Sequence, residues 1–354
     1  MNNLLKSGIK GVVAALPKPL RQLGARVDYA LASSPRIYHD PAGHPSEGLE
    51  RGAITVSLDF ELAWAWPYAR DPGIDAVQMG LVEREQVPML LDGFERFSFP
   101  ATWATVGHLF LESCSCGAGT LPHPEMPRIP HFENEHWRFA SGDWFQFDPC
   151  SDVKKAPAWY GPDLIGSIQA SRVAHEIGCH SFSHPGFGAY CPPDVAAAEL
   201  EACREAMAPF GLEPTTWVYP GNDEGNFPSL AAGGVRIVRA FPNRSAHISL
   251  PLKREDGMWG VHVSSATSRG KGWTIGQRLD RLQKFVDEAV RTRLAVHVWL
   301  HPSLPRTDME EILFPFLRYC SELRERGSLD ILTMEELVTA TDRALNRSPD
   351  DAGA

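Results

Sequence analysis

A parallel α/β sheet, open or closed into a barrel, is the architecture that this sequence predicts. Three observations point to it. From residue 51 onward, β-branched apolar runs alternate with amphipathic segments of helical period. Strands that alternate with helices need crossovers, and crossovers make parallel sheets. Several of the apolar runs end in residues with chemistry, as the carboxyl ends of α/β strands do.

The elements follow in order. "AITVSLDF" is a buried strand, and "LVEREQVPMLLDGFERF" is a helix with a kink expected at Pro88. "ATWATVG" is the next strand, and "PDLIGSIQASRVA" is a helix. "PDVAAAELEACREAMAPFG" is a helix that Gly211 should stop, and "TTWVY" is a strand. "GQRLDRLQKFVDEAV" sets Leu279, Leu282, Phe285, Val286 and Ala289 on one face, before the strand "LAVHVWL". "EEILFPFLRYCSELRERG" is a helix closed by Gly327. After the strand "LDILT", Thr333 and Glu336 can form a capping box.

Three regions lie outside this pattern. Residues 1–50 read as a basic arm, in which Leu20, Leu23, Val27 and Ala30/Leu31 share one face of a helix, with Lys18, Arg21 and Arg26 elsewhere. That helix, at residues 17–32, could lie on a membrane surface, dock on its own domain or meet a second copy; its short apolar face favours the last two over the membrane. Residues 111–162 interrupt the barrel segment (51–345) without periodicity. Trp137, Trp144, Phe145, Phe147, Trp159 and Tyr160 there argue for an ordered cap over the active face. Residues 346–354 read as a flexible tail.

Composition narrows the function classes. With 354 residues, 43% hydrophobic and 22% charged, the chain can bury a sizeable core. A formal charge of −10 argues against nucleic acid as a partner. No apolar run is long enough for a transmembrane helix, and "GVVAAL" is short for a secretory signal. The seven cysteines are odd in number and scattered; Cys114 and Cys116, one residue apart, have weak spacing for zinc or redox work. These features lead to the expectation of a reduced, cytoplasmic protein, with membrane association through residues 17–32 left open.

Four strand ends carry the candidate site. In "SLDFELAW", Asp59 and Glu61 stand two apart and point the same way on an extended chain. In "HEIGCHSFSHPGF", His180 and His184 stand four apart, and Pro185–Gly186 directly after them indicates a strand end turning rather than a helix. Neutral imidazoles suit zinc and related ions; His175 reads as structural. In "TTWVYPGND", the turn at Pro220–Gly221 exposes backbone N–H groups that can stabilise an oxyanion. In "AVHVWLHPSLP", His301 lies at the C-terminal end and suits a general acid, whereas His297 reads as buried and structural. The set suits metal-assisted hydrolysis.

These motifs resemble the polysaccharide deacetylases, the NodB-homology group of carbohydrate esterases, over roughly residues 53 to 338. "SLDFE" is similar to T-F-D-D-G, "PATWATVGHLF" to A-T-F-F-V-x-G, and "HEIGCHSFSHPGF" to H-E-I-G-N-H-[ST]-x-x-H. "TTWVYPGN" stands where F-R-x-P-x-G is usual, and "VWLHP" resembles the closing L-x-H. The resemblance implies a distorted (β/α) barrel of about seven strands and a metal-dependent N-deacetylase. Carried over, Asp59 is the catalytic base, His301 the acid, His180 and His184 metal ligands, and the Gly221 N–H the oxyanion donor. The implied ion is zinc, with cobalt, nickel or manganese as substitutes.

Two departures matter. Phe60 replaces the motif's second Asp, so Glu61 is expected as the third ligand. The third motif lacks its Arg, and Arg239 in "GVRIV" is a candidate stand-in. The cap resembles a branch linked to surface polysaccharides, which brings in Trp144, Asp148, Asp152, Trp159, Tyr160 and Asn222 as candidate sugar-binding residues, although packing within the cap is the expectation for most of its aromatic and acidic residues. The expected substrate is an N-acetyl amino sugar, carried on a nucleotide or lipid as a polysaccharide precursor. Rivals are a formyl or O-acetyl hydrolase and a non-catalytic carbohydrate-binding barrel.

Overall fold

The computed structural model of the chain describes residues 18–38, 48–71, 73–116, 119–240, 247–270 and 272–346; the side chains of residues 18–22 are not among the described features. Most of the expected tail and much of the basic arm thus lie outside the described residues.

The main sheet has ten strands: β1 Gly52–Phe60, β2 Thr102–Thr105, β3 Glu176–Cys179, β4 Thr216–Trp217, β5 Ile237–Ala240, β6 Leu252–Lys253, β7 Trp259–His262, β8 Ser265–Ala266, β9 Ala295–Leu300 and β10 Leu329–Ile331. Their order is β6-β7-β5-β4-β3-β2-β1-β9-β8, with β10 also paired to β1. All pairings are parallel except β6 with β7.

The two ends of this path meet through one bent segment. Val263 N–H donates to Ala240 O on the β5 side, and Ser264 N–H donates to His297 O on the β9 side. Residues 259–266 therefore serve as one stave, and β1, β2, β3, β4, β5, this stave and β9 run round a distorted barrel, as the resemblance implied. The short strands β5 to β8 were not read from the sequence, because two to four residues carry no measurable period.

β1 is buried along its whole length because both of its faces are covered. Ile54, Val56, Leu58 and Phe60 face the outer core, with Leu90 and Phe94 of α2 (Ala76–Arg96) and Leu282, Phe285 and Val286 of α6 (Ile275–Thr292). The alternate residues Ala53, Thr55, Ser57 and Asp59 face the interior. Ala53 packs there with Ala104, Val218, Ile237, Val261 and Ala295. Helix α8 (Met334–Leu345) plugs the lower end with Met334, Leu337 and Val338. Its first N–H groups bond to Thr102 Oγ1 and to the Glu176 carboxylate, at the starts of β2 and β3. The lower end is thus sealed, and chemistry is left to the upper end.

Several local expectations hold. Helix α4 (Pro193–Met207) and its short extension end at Gly211, which has φ +70°. The capping box of Thr333 and Glu336 is formed. At Pro88, where a kink was expected, helix α2 is continuous from Ala76 to Arg96.

Helix α1 (Lys18–Ala32) forms as expected, but it does not dock by its leucine stripe. Leu23, Val27 and Leu31 are exposed. The helix is held instead by Tyr29, which packs edge-on to Trp273, and by Arg281, which donates to Ala32 O at 2.9 Å. Among the described residues, no helix is long and apolar enough to cross a membrane.

The cysteines correct another expectation. Cys116 is placed in disulfide contact with Cys150, a pairing that the reading of seven scattered cysteines did not include. Their Cα atoms are 5.7 Å apart because the cap folds back on itself, which the linear spacing did not show.

Gly52 marks where β1 meets α6. A Cβ there would stand 2.6 Å from the backbone N and Cα of Val290. Gly52→Ala should therefore destabilise the protein by about 1–3 kcal/mol through overpacking. A urea midpoint equal to wild type would contradict this packing.

Candidate active site

The strand ends that the motifs singled out converge at the top of the barrel. β1 ends at Phe60, and the chain turns at Glu61 into a short helical turn, Leu62–Ala65. β3 ends at Cys179, directly before His180. Glu61 Oε1 lies 3.0 Å from His180 Nε2 and 3.0 Å from His184 Nε2. All three side chains are buried. His301, just past β9, is about one-third exposed, and its Nε2 lies 3.7 Å from Glu61 Oε2.

Asp59, two residues before Glu61, takes a different partner. Arg239 of β5 grips both of its oxygens in a bidentate pair, with Nη2 to Oδ2 at 2.7 Å. Arg239 is itself buried, lies over the Trp299 ring and donates to Asn222 Oδ1 at 3.0 Å. The place of the missing Arg of the third motif is thus taken from a different strand. Asn222, a candidate sugar ligand, instead anchors this guanidinium. Beneath it, Ser57 Oγ lies 2.8 Å from His297 Nε2. Burial, then the Arg239 charge, pushes the His297 imidazole well below its ordinary value, so it is a neutral structural residue as expected.

Two buried glutamates that the sequence reading missed hold the ligand loops. Glu83 of α2 accepts from the N–H groups of Glu61 and Leu62, at 2.8 and 3.2 Å. Glu199 of α4 accepts from the N–H groups of Phe182 and Ser183 and from Ser183 Oγ, at 2.7, 2.8 and 2.6 Å. The loops need such support because Leu62, Ser181 and His184 have φ of +48°, +57° and +67°. Left-handed backbone at non-glycine residues costs roughly 1–3 kcal/mol each and persists only when its surroundings enforce it.

The protonation pattern tests whether these residues fit a metal. His180 Nδ1 donates to the Val218 carbonyl at 2.8 Å, which leaves Nε2 as the ring atom that faces Glu61. Burial lowers the His184 imidazole below its ordinary value, more than Glu61 raises it. Burial opposes the charge on Glu61, but His301, His184 and His180 outweigh it and hold the carboxyl well below the usual range. A carboxylate oxygen and two imidazole Nε2 atoms thus converge, each nitrogen 3.0 Å from the oxygen. A divalent cation among them would take the place of the shared protons and be ligated by all three. A His₂Glu set with an open position fits a divalent ion of the zinc type.

The cap lies against this site. Trp137 packs edge-on to His184, with ring centroids 5.2 Å apart, and fills the space a Cβ would need at Gly221. Gly221 has φ +59°. The other candidate sugar ligands have partners within the protein. Trp144 Nε1 donates to Ser183, and Trp159 O accepts from Trp64. Tyr160 is fully buried and accepts from Ser151 N–H. Asp148 faces His108 and His123, and Asp152 accepts from the N–H groups of Lys154 and Lys155. These contacts tie the cap together.

His175 stands apart from the other histidines. Its Nδ1 accepts from Ala101 N–H at 3.1 Å, and it packs against Phe94 and Trp103.

No protein family's sequence profile matches the chain, and no curated protein does. Solved structures match it. One, from Mycobacterium smegmatis and described as a polysaccharide deacetylase, aligns with a TM-score of 0.59 at 15% identity, over 89% of this chain and 97% of that one. Another of that description, from Pseudomonas aeruginosa PAO1, has a TM-score of 0.57 at 14% identity, over 84% of this chain and 92% of that one. The chain has the fold of these polysaccharide deacetylase structures, which is the fold that its motifs resemble.

Two outcomes follow from this geometry. Glu199→Ala leaves three buried donors without an acceptor and should cost roughly 2–5 kcal/mol in urea unfolding; a loss under about 1 kcal/mol would show that the loop is held otherwise. The second concerns pH. Burial first of all lowers His175 to about 4 in the folded chain. The unfolded chain therefore takes up a proton near pH 6.5 that the folded one refuses. This stability is fully present above about 6.5 and is lost as pH falls toward 4, by at most about 3 kcal/mol. His175→Gln should flatten the fall; an unchanged pH slope would remove His175 as its source.

Proposed function

We propose that this chain is a metal-dependent hydrolase that removes an N-acyl group, in the first instance acetyl, from an amino sugar. The observation that carries the reading is one constellation on one barrel face: Asp59 clamped by Arg239, beside Glu61, His180 and His184, with His301 at the edge.

A zinc-type ion held by Glu61, His180 and His184 would polarise the acyl carbonyl and acidify a water. Asp59 is the base that takes the proton of the attacking water. Its bidentate pair with Arg239 fixes which way its oxygens point, and Ser57 and His297 back the guanidinium. His301 donates a proton to the departing amine, a role that its partial exposure suits, because the leaving sugar must pass out of the barrel there. The Gly221 N–H is assigned to the developing oxyanion. Trp66, half-buried with its ring 6.2 Å from that of His301, offers a face on which a sugar ring can stack.

Acetate release from a panel of acetamido sugars tests the reading. Asp59→Asn should lower kcat by about 10²–10⁴-fold, the usual contribution of a positioned acid or base, while bound metal stays unchanged. Full activity in Asp59→Asn, or activity indifferent to chelation, would sink the mechanism. Release of formate or of O-linked acetate instead would keep the site and change the substrate.

A further inference from the structure

A second group of ligand-type side chains lies in the cap. His108 comes from the turn after β2, Cys114 from the loop that follows, and His123 and Asp148 from the body of the cap. One ligand atom from each lies within 4.8 Å of the other three. His108 Nε2 and His123 Nε2 are 3.2 and 2.9 Å from Asp148 Oδ2, and Cys114 Sγ is 3.3 Å from Asp148 Oδ1. Bond lengths of about 2.0–2.3 Å to a tetrahedral zinc ion put neighbouring ligand atoms roughly 3.3–3.7 Å apart. The three distances to Asp148 lie within a few tenths of an ångström of that range, and the remaining ligand-atom pairs lie within 4.8 Å.

His108 supplies an independent observation. Its ring is fully buried, yet neither ring nitrogen makes a hydrogen bond. Its Nε2 is close to Asp148 but not aimed along a hydrogen bond to it, which is how a ligand lone pair aimed between its neighbours would lie. Nδ1 has no hydrogen-bond partner among the described residues, and Nε2 has only this misaligned contact with Asp148, which an ion between the two would complete.

The surroundings fit as well. His123 Nδ1 is 3.2 Å from Glu125 Oε1, the outer carboxylate that commonly orients a metal-bound imidazole. Tyr160 OH lies 3.0 Å from Cys114 Sγ. Trp64, Phe145 and Phe182 pack round the two imidazoles and dry the site. A groove of about 450 Å³ reaches His123, with Glu125, Glu201 and Glu205 in its walls, as a route in for a cation.

We propose that His108, Cys114, His123 and Asp148 bind a structural zinc ion, separate from the site at Glu61. Four protein ligands close the coordination sphere and leave no position for water or substrate. The ion ties the cap to the loop that carries the catalytic ligands. The His108 N–H donates to Phe182 O, and Gly107 N–H to Ser181 O, within the segment between His180 and His184. The Cys116–Cys150 bond joins the same two cap segments two residues further on from Cys114 and Asp148. This inference does not depend on the hydrolase reading.

Cobalt loading of the full-length protein tests it, because the set at Glu61 has no sulfur. Wild type should bind about one ion per chain at this site, beyond any held at Glu61, and show a thiolate-to-cobalt charge-transfer band. His184→Ala should keep that band, and Cys114→Ser should lose it together with about one equivalent of metal. If Cys114→Ser does not fold, the band in His184→Ala decides. Absence of the band from cobalt-loaded wild type, or a band and metal content unchanged in Cys114→Ser, would overturn the proposal.

Discussion

A buried carboxylate facing two buried imidazole nitrogens is the constraint on which the upper face of this barrel depends. Glu61, His180 and His184 are all buried, with Glu61 Oε1 3.0 Å from each Nε2. The polypeptide does not choose this arrangement for stability. It holds it by anchoring each ligand loop to a rigid element behind it.

The anchors are themselves buried carboxylates. Glu83 reaches from α2 to the backbone of Glu61 and Leu62, and Glu199 reaches from α4 to the backbone of Phe182 and Ser183. Each spends its acceptor capacity on N–H groups freed where the chain leaves the sheet. Arg239 does the corresponding work for Asp59 from across the barrel. The left-handed residues at Leu62, Ser181 and His184 sit where these anchors act, so local strain and its restraint coincide. The cap adds a second restraint through Trp137 on His184 and Trp144 on Ser183.

Much of this was legible in the sequence, and the physical reason is regularity. A nine-residue apolar strand, a four-residue histidine spacing before Pro–Gly, and a Gly after a periodic helix each have a short-range cause. Asp59 and Glu61, two apart at a strand end, were readable for the same reason. The roles of the helical glutamates were not. Glu83 and Glu199 look like solvated helix residues, because charge on a helix normally faces water and the sequence does not show which turn lies behind a ligand loop. The five cap residues offered as candidate sugar ligands have partners within the protein, as was expected for most of them, since aromatic and acidic side chains in an aperiodic stretch serve packing as readily as binding.

By itself, then, the sequence determined the alternation of strands and helices, the ends of the main strands and the types of residue placed at them. These depend on neighbours a few positions away. Only the tertiary structure decided which of those residues meet. Closing the sheet through residues 259–266 brings Arg239 to Asp59 across 180 positions, and the turn after β3 brings His180 to Glu61 across 119. Folding the cap sets Cys114 beside His108, His123 and Asp148 rather than beside Cys116. Such pairings are set by barrel closure and by what the core leaves room for, and neither has a signature in linear spacing.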